Sequence, residues 1–297
     1  MKKIIFSLVV SLFFISCTNN VNEEGASNTE YQSVSLSFFQ TSISSMDGAK
    51  SMSSRVDEET SKSLASTEFT NLDVVVYPTY TSYTKTFEVH QTKTDASSTF
   101  GSVSINLPVG DYILVAVASK CTNLKFTSQN EIEFPDKVTD MGFIRLPISV
   151  KKGSNSFSGI LQRCVSKFKL TNNKDSSPNA TSLKFHISGN CSNKFNPSSG
   201  NAVGTSGVEP TVTISSNKSH SVYVFLSSDE EKQINVSVDV LNSQNAILKT
   251  LTFDNVTLKK NCCTEYTGGV FTQDNTAAFT FTTTDFQDSG AGKDFGQ

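Results

Sequence analysis

The stretch that decides the fold is LPVGDYILVAV, at residues 107–117. Pro108 and Gly110 punctuate a turn, and an unbroken apolar run follows from Tyr112 to Val117. A run of this length bounded by turn residues is typical of a strand buried on both faces. The sequence therefore predicts a central β-strand at residues 112–117.

Strand patterns recur on both sides of this stretch. Val34, Leu36 and Phe38 alternate with serines, which is the signature of a half-buried strand. Ser/Thr/Asn/Gly-rich stretches at 42–66 and 188–207 predict loops. We predict further strands at 73–77, 84–89, 101–107, 143–150, 158–170, 182–187, 209–214, 220–226, 233–241, 247–253, 265–271 and 277–283.

Short strands at this spacing predict an all-β fold made of β-sandwiches. The length of the chain favours two domains, and the polar break KKGSN at 151–155 is the predicted boundary. We expect an N-terminal sandwich at 34–152, a C-terminal sandwich at 153–286 and a polar tail at 287–297.

The N-terminus carries an export signal. Lys2 and Lys3 precede an apolar run of about 13 residues, shorter than the roughly 20 that a spanning helix needs. The run ends in Phe14-Ile15-Ser16-Cys17, a lipobox in which Phe14 replaces the usual leucine. We therefore predict a lipoprotein signal peptide at 1–16, lipid on Cys17 and a flexible tether at 17–33. An ordinary cleaved signal with an incidental cysteine is the alternative.

Composition argues against several partners. The net charge is −3 and no basic block occurs, so we expect no nucleic-acid partner. Tryptophan is absent, which disfavours a glycan-binding module because such sites stack sugars on aromatic rings.

Five cysteines follow Cys17, and none belongs to a CxxC pair. The odd number and the adjacency of the last two indicate small buried thiols, with one disulfide left open. They are Cys121, Cys164, Cys191, Cys262 and Cys263.

No motif points to catalysis. His90, His186 and His220 are far apart in sequence, and GxSxG, HExxH and P-loop patterns are absent. The acidic runs at 57–59 and 229–231 do not match a calcium loop and indicate solvated turns. We expect no enzyme activity, metal or cofactor.

Three stretches follow one another in the chain: LPVGDYILVAV at 107–117, FSGILQRCVSKF at 157–168 and LKKNCCTEYTGGVF at 258–271. Together and in this order they resemble the fimbrillin family, the FimA/FimB-like subunits of type V pili. Residues 107–117 resemble its "LPxGxY" turn and strand, and residues 157–168 resemble the strand that opens its second domain. Residues 258–271 resemble its near-C-terminal "NxxTxxTGxxF" strand. The resemblance implies two tandem transthyretin-like Greek-key β-sandwiches, export as an outer-membrane lipoprotein carrying palmitate, and assembly into an adhesive fimbrium.

In polymerising members of that family an Arg-specific protease removes the first strand, and a strand of the next subunit fills the groove. Val34, Leu36 and Phe38 are the candidate exchanged strand here, and Arg55 is the candidate cleavage site. The alternative is that Arg55 is a solvated loop residue. The polar tail at 287–297 is a poor donor strand, which favours a tip, accessory or anchor subunit over a stalk subunit.

The sequence is compatible with two functions. The first is a fimbrial subunit whose partners are other fimbrial subunits and, by its lipid anchor, the outer membrane. The second is a monomeric surface lipoprotein that binds a glycan or a host or bacterial surface ligand.

Overall fold

The computed structural model describes residues 29–41, 61–95, 99–174, 177, 179–214, 218–228, 230–272 and 279–285. All elements below belong to the compact unit that begins at Tyr31. Among these residues the only helical element is a 3₁₀ turn at Leu64–Ser66. None of the described helical segments is long and apolar enough to cross a bilayer.

Ten of the described strands precede residue 162. They are β1 Tyr31–Thr41, β2 Ser61–Ser63, β3 Asn71–Pro78, β4 Phe87–Thr92, β5 Ser102–Pro108, β6 Gly110–Ser119, β7 Lys125–Ser128, β8 Glu131–Glu133, β9 Met141–Val150 and β10 Asn155–Leu161.

Eleven further strands lie among the described residues after 162. They are β11 Ser166–Asn172, β12 Ser182–Ser188, β13 Cys191–Ser192, β14 Lys194–Asn196, β15 Asn201–Ala202, β16 Thr211–Thr213, β17 Ser219–Leu226, β18 Lys232–Leu241, β19 Ile247–Leu258, β20 Cys262–Gly268 and β21 Thr280–Asp285.

The N-terminal sandwich consists of two sheets that enclose one core. In the first sheet β1 lies between β10 on one side and β5 and β2 on the other. The second sheet has the order β4-β3-β6-β9. Leu36 and Phe38 from the first sheet share a buried cluster with Leu72, Val74 and Leu114 from the second.

The C-terminal sandwich has the same two-layer form. Its sheets have the orders β13-β17-β11-β20-β21 and β16-β12-β18-β19. Phe168 of the first sheet meets Phe185 and Phe253 of the second, with ring centroids 6.2 and 5.7 Å apart. These rings lie in the buried cluster that joins the two layers.

A third core joins the two halves. It lies on the outer face of β3 and β6 and beneath a small sheet of order β15-β14-β8-β7. Phe195 and Phe225 from the second half stack at 4.7 Å within it, against Val115 and Val117 from the first half. The two sandwiches therefore share buried apolar surface.

This arrangement explains the sequence of β6. Leu114 and Ala116 face the N-terminal core, whereas Val115 and Val117 face the third core. A strand buried on both faces has no polar face, so its apolar run is unbroken. The prediction of a central strand at 112–117 is confirmed.

The all-β fold class is also confirmed, with shifts at several strands. The predicted strand at 158–170 is in fact two strands, β10 and β11, which belong to different sheets. Strand β4 lies three residues later in the chain than predicted, and β20 lies three residues earlier. Strand β21 begins three residues later than predicted.

The loops predicted at 42–66 and 188–207 were partly wrong. The first contains β2 and the 3₁₀ turn, and the second contains β13, β14 and β15. These strands are two or three residues long, so they show no alternation that a sequence pattern could reveal. The division at 152/153 stays a prediction, and β10 on its C-terminal side pairs with β1 on its N-terminal side.

Candidate functional site: the N-terminal strand and its groove

Strand β1 presents one apolar face and one hydroxyl face. Val34, Leu36 and Phe38 are 0%, 2% and 3% exposed, and they enter the N-terminal core. Ser33, which precedes Val34, and Ser35, which lies between Val34 and Leu36, are exposed. The alternation gives β1 a row of side-chain knobs that fit pockets between the two sheets.

The backbone of β1 is paired along both edges. One edge pairs in parallel with β10, from Val34 opposite Asn155 to Gln40 opposite Leu161. The other edge pairs antiparallel with β5 along Tyr31 to Ser37 and with β2 along Phe39 to Thr41. A strand in this position satisfies the backbone donors and acceptors of two neighbours at once.

These neighbours depend on β1. Among the described strands, β2, β5 and β10 have no ladder partner except β1. Strand β10 has one further link at its end, where Gln162 and Phe143 exchange two backbone hydrogen bonds of 2.8 and 2.9 Å. Without β1, this layer would consist of strands with no ladder between them.

A close backbone approach shapes the groove near Phe38. The Phe38 N–H donates to the Gly101 carbonyl at 2.8 Å. Gly101 has φ +101°, and a Cβ there would lie 3.0 Å from the Phe38 carbonyl oxygen and 3.2 Å from Cβ of Leu64. Glycine is required both by the positive φ and by the lack of space.

Polar contacts fix both ends of the β10 side of the groove. The Gly153 N–H donates to Oε1 of Gln32 at 2.8 Å, which ties the start of β1 to the turn before β10. Beyond β10, Arg163 donates to both carboxylate oxygens of Asp140 at 2.7 and 2.9 Å. The Arg163 side chain is only 9% exposed, so this bidentate pair is a partly buried anchor.

The structure brings the three predicted strand residues together in one groove. The predicted lipid site, Cys17, and the predicted cleavage site, Arg55, lie outside the described residues, as do the signal peptide, most of the tether and the polar tail. The sequence reasoning missed the roles of β5 and β10 as walls of the groove. A strand was predicted at 101–107, but no local signal identifies which strand pairs with which.

The three histidines occupy separate strands and form no joint site. Nδ1 of His90 lies 2.7 Å from Oδ1 of Asp73, and burial raises the pKa of that carboxyl despite the histidine beside it. His220 is buried near Phe271, and burial lowers its pKa.

His186 lies between two carboxylates on the outer face of the C-terminal sandwich. Its ring nitrogens are 3.2 Å from Glu209 and 3.0 Å from Asp239. Burial alone would raise the pKa of Asp239, but hydrogen bonds from Thr250 and His186 hold it below its ordinary value. Hydrogen bonds from His186 and Lys184 likewise lower the pKa of Glu209. His186 therefore bridges the two carboxylates across the surface of the sheet. We interpret this cluster as part of the structure of the sheet.

The described part of the chain contains no group of three or more His, Cys, Asp or Glu residues that could hold a metal ion. All five cysteines after Cys17 are described, and they are buried thiols outside any disulfide. Burial raises the pKa of the Cys191 thiol to about 11, so this group is a poor nucleophile at neutral pH.

The protein belongs to the class of all-β proteins with two β-sandwiches. Its N-terminal strand, β1, is a central strand of its sheet, with neighbours on both edges. The chain belongs to the family of unknown function DUF6562, whose model matches residues 136–290, just over half of the 297 residues. No curated protein sequence matches it.

Several solved structures are similar in fold. A Bacteroides thetaiotaomicron protein of family DUF1812, provisionally described as polysaccharide-binding, is 7% identical with a TM-score of 0.49, over 87% of this chain and 99% of that one. The fimbrial anchor protein Mfa2 from Porphyromonas gingivalis is 9% identical with a TM-score of 0.44, over 86% and 98% of the two chains. A fimbrial assembly protein from Parabacteroides distasonis is 10% identical with a TM-score of 0.43, over 86% and 96%.

Proposed function

We propose that this protein is an exported, lipid-anchored subunit of an adhesive surface fibre and that β1 occupies the site of strand exchange between subunits. The observation that carries the proposal is the position of β1. It is the shared ladder partner of β2, β5 and β10, and it fills the groove with Val34, Leu36 and Phe38.

The physical basis is that an empty groove exposes two kinds of unsatisfied surface. Loss of β1 would uncover apolar pockets and leave the facing edges of β5 and β10 with unpaired N–H and C=O groups. One incoming strand can satisfy both, which is strand addition between chains.

The groove also specifies the strand that can enter. A donor has to run parallel to β10 and antiparallel to β5, and it has to present apolar residues at alternate positions. Polar or charged residues at the positions of Val34, Leu36 and Phe38 would be buried without partners, at a cost of a few kcal/mol each. The groove therefore selects both direction and sequence.

The C-terminal strand supports a tip, accessory or anchor position over a repeating stalk position. Strand β21 pairs antiparallel with β20 of its own sheet, and its Phe281 ring stacks on Tyr266 at 5.7 Å. A strand engaged in its own chain is a less available donor for a neighbouring subunit.

The anchored location rests on the sequence of the N-terminus. Lipid on Cys17 would hold the uncut protein at the outer membrane, exposed at the cell surface. A cut after Arg55 would release the lipid together with β1, and the cut subunit would be held in the fimbrium by strand exchange. The partners would be other fimbrial subunits and a host or bacterial surface ligand. The function is one of assembly and adhesion, with no catalytic step.

Arg-specific proteolysis of the mature chain, residues 17–297, tests this proposal. We expect a single early cut after Arg55, which lies in the sequence between β1 and β2, because Arg145 lies within β9 and Arg163 is bound to Asp140. Intact mass gives the cut position, and light scattering over a range of concentrations gives the state of association.

The cut chain should associate as its concentration rises, whereas an Arg55→Lys variant should stay intact and monomeric under the same protease. If Arg55 resists cleavage, or if the cut protein remains monomeric, exchange through this segment is wrong. The monomeric lipoprotein that binds a glycan or host ligand would then be the better account.

A further inference from the structure

Exposed apolar side chains gather at one end of the N-terminal sandwich. Tyr31, Tyr80 and Val109 are 64%, 89% and 49% exposed. We call these three residues the tyrosine tip.

The topology brings the three residues together from separate elements. Tyr31 begins β1 and is the register partner of Pro108, which precedes Val109 in the turn between β5 and β6. Tyr80 follows β3, whose last residue, Pro78, is the register partner of Tyr112. The turn after β3 is held to the start of β6 by a hydrogen bond of 3.3 Å from the Thr79 N–H to the Asp111 carbonyl.

A buried tyrosine supports this end from below. The Tyr112 hydroxyl donates to the Pro108 carbonyl at 2.9 Å. Burial raises the pKa of Tyr112, and the phenols of Tyr80 and Tyr31 add to that rise. The phenols of Tyr31 and Tyr80 therefore both lie near the hydroxyl of Tyr112.

The exposure of the tip fits a flat surface better than a small ligand. Binding pockets are concave and already cover much of the side chains that line them. The Tyr80 side chain instead projects into solvent, with 89% of its surface exposed. A broad surface can cover such projecting rings, and tyrosine favours the boundary between water and lipid because its ring is apolar and its hydroxyl is polar.

The short distance in sequence between the predicted lipid site and the tyrosine tip indicates that this surface is the membrane. The described chain begins at Thr29, two residues before Tyr31, and the predicted lipid site Cys17 is only 12 residues before Thr29. A segment of this length spans about 20 Å on average if it behaves as a random coil. The tip is thus the part of the sandwich where the chain arrives from its lipid.

The charges at this end are balanced. Lys151 and Lys152 are exposed in the turn after β9, next to the register pair of Gly110 and Val150. Glu30 and Asp111 are exposed at the same end, so two positive and two negative groups are present. Attraction to anionic lipid is therefore weak, and the aromatic rings dominate.

We propose that the tyrosine tip is a membrane-facing surface, which rests on neutral lipid head groups and orients the anchored protein with its N-terminal sandwich against the outer membrane. The inference rests on the lipid anchor of the proposed function. It adds a second, non-covalent contact with the same membrane, and weak anchors become stable when two such contacts act together.

Partition onto vesicles of phosphatidylcholine tests the surface without its lipid. The mature chain, residues 17–297, is prepared with Cys17→Ser so that no acyl chain is attached, and the bound fraction is measured by flotation. We expect measurable binding, a loss of at least about fivefold in the Tyr31→Ser/Tyr80→Ser double variant, and less than about a twofold change between low and high salt.

A second double variant, Ile247→Ser/Leu248→Ser, is the matched control. Its side chains are 61% and 46% exposed but lie on β19 in the C-terminal sandwich, so its partition should equal that of the parent. All four side chains are exposed, and a cooperative unfolding transition verifies that each variant is folded.

The proposal is overturned if the parent does not bind, if the two double variants bind alike, or if the tyrosine variant keeps its vesicle binding but loses binding to a glycan array. The membrane-facing surface belongs to the uncut chain, because a cut after Arg55 would release Cys17 and Tyr31 together with β1. The vesicle assay uses that uncut chain, in which Tyr31 and Tyr80 are exposed and lie outside the N-terminal core. Association after the Arg55 cut therefore reports on strand exchange alone, and its failure can be told apart from a failure of the vesicle assay.

Discussion

The two terminal strands of the described chain, β1 and β21, are attached in opposite ways. Strand β1 lies inside its sheet, with neighbours on both edges and three apolar side chains almost fully buried. Strand β21 lies at the edge of its sheet, has β20 as its single partner among the described strands, and leaves Phe281 64% exposed.

The contrast shows which end of the chain is built into the fold. Strand β21 can leave and still leave β20 paired with β11. Strand β1 cannot leave without depriving β5 and β10 of their ladder, so the N-terminal sandwich requires either β1 or a strand that replaces it. The largest energetic consequences are therefore expected at the N-terminal strand.

Replacing a phenylalanine on each strand gives the largest expected difference. Phe38 is 3% exposed and Phe281 is 64% exposed. Phe38→Ala should lower the free energy of unfolding by about 3–5 kcal/mol, because it removes a buried ring and leaves a cavity. Phe281→Ala should cost only about 1 kcal/mol, mainly from the lost stacking on Tyr266.

Urea unfolding of the two variants measures this contrast, and Ser35→Ala on the exposed face of β1 is the control, with an expected change within about 0.5 kcal/mol. Equal losses in the free energy of unfolding for Phe38→Ala and Phe281→Ala would contradict the contrast between the central strand β1 and the edge strand β21.

Acidification should cause a smaller loss in the free energy of unfolding, and this loss should arise in the C-terminal sandwich. His220 is 3% exposed, its Nε2 has no partner within the described residues, and burial lowers its pKa. Below about pH 6.5 the unfolded chain takes up a proton at this site that the folded chain does not. The free energy of unfolding should therefore fall as the pH drops from 6.5 to the lowered pKa of the folded state, and level off below it.

Urea unfolding near pH 7.5 and pH 5 in the parent, in His220→Leu and in His90→Gln measures this effect. His220→Leu should reduce the loss of stability on acidification, whereas His90→Gln, which changes a more exposed side chain, should keep the part due to His220. An identical pH response in the parent and in His220→Leu would contradict this role for the buried histidine.

Much of the fold could be predicted from sequence because the burial of a strand determines the local pattern of apolar residues. Alternation at 34–38 identified β1, and the unbroken apolar run at 112–117 identified a strand buried on both faces. The break between β10 and β11 near Gln162 is not visible in the sequence. The apolar pattern continues through Cys164 and Val165, because these two residues enter the third core.

The candidate site was predictable only in part. The face of β1 that enters the core follows from the spacing of Val34, Leu36 and Phe38. Its neighbours do not, because the pairing of β1 with β10 joins residues more than a hundred positions apart and is set by the packing of whole sheets. The tyrosine tip is similarly non-local, since Tyr31, Tyr80 and Val109 meet through the register of two ladders, β1 with β5 and β3 with β6.

The most direct measurement is complementation of the groove by its own strand. The mature chain is cut after Arg55, the fragment that contains β1 is removed in denaturant, and the remainder is refolded with or without a peptide of residues 29–41. The account predicts cooperative unfolding of the N-terminal sandwich only when the peptide is present, and no rescue by a peptide that carries Leu36→Asp. Equal folding without the peptide, or equal rescue by both peptides, would contradict the central claim that β1 occupies an exchangeable and required place in the sheet.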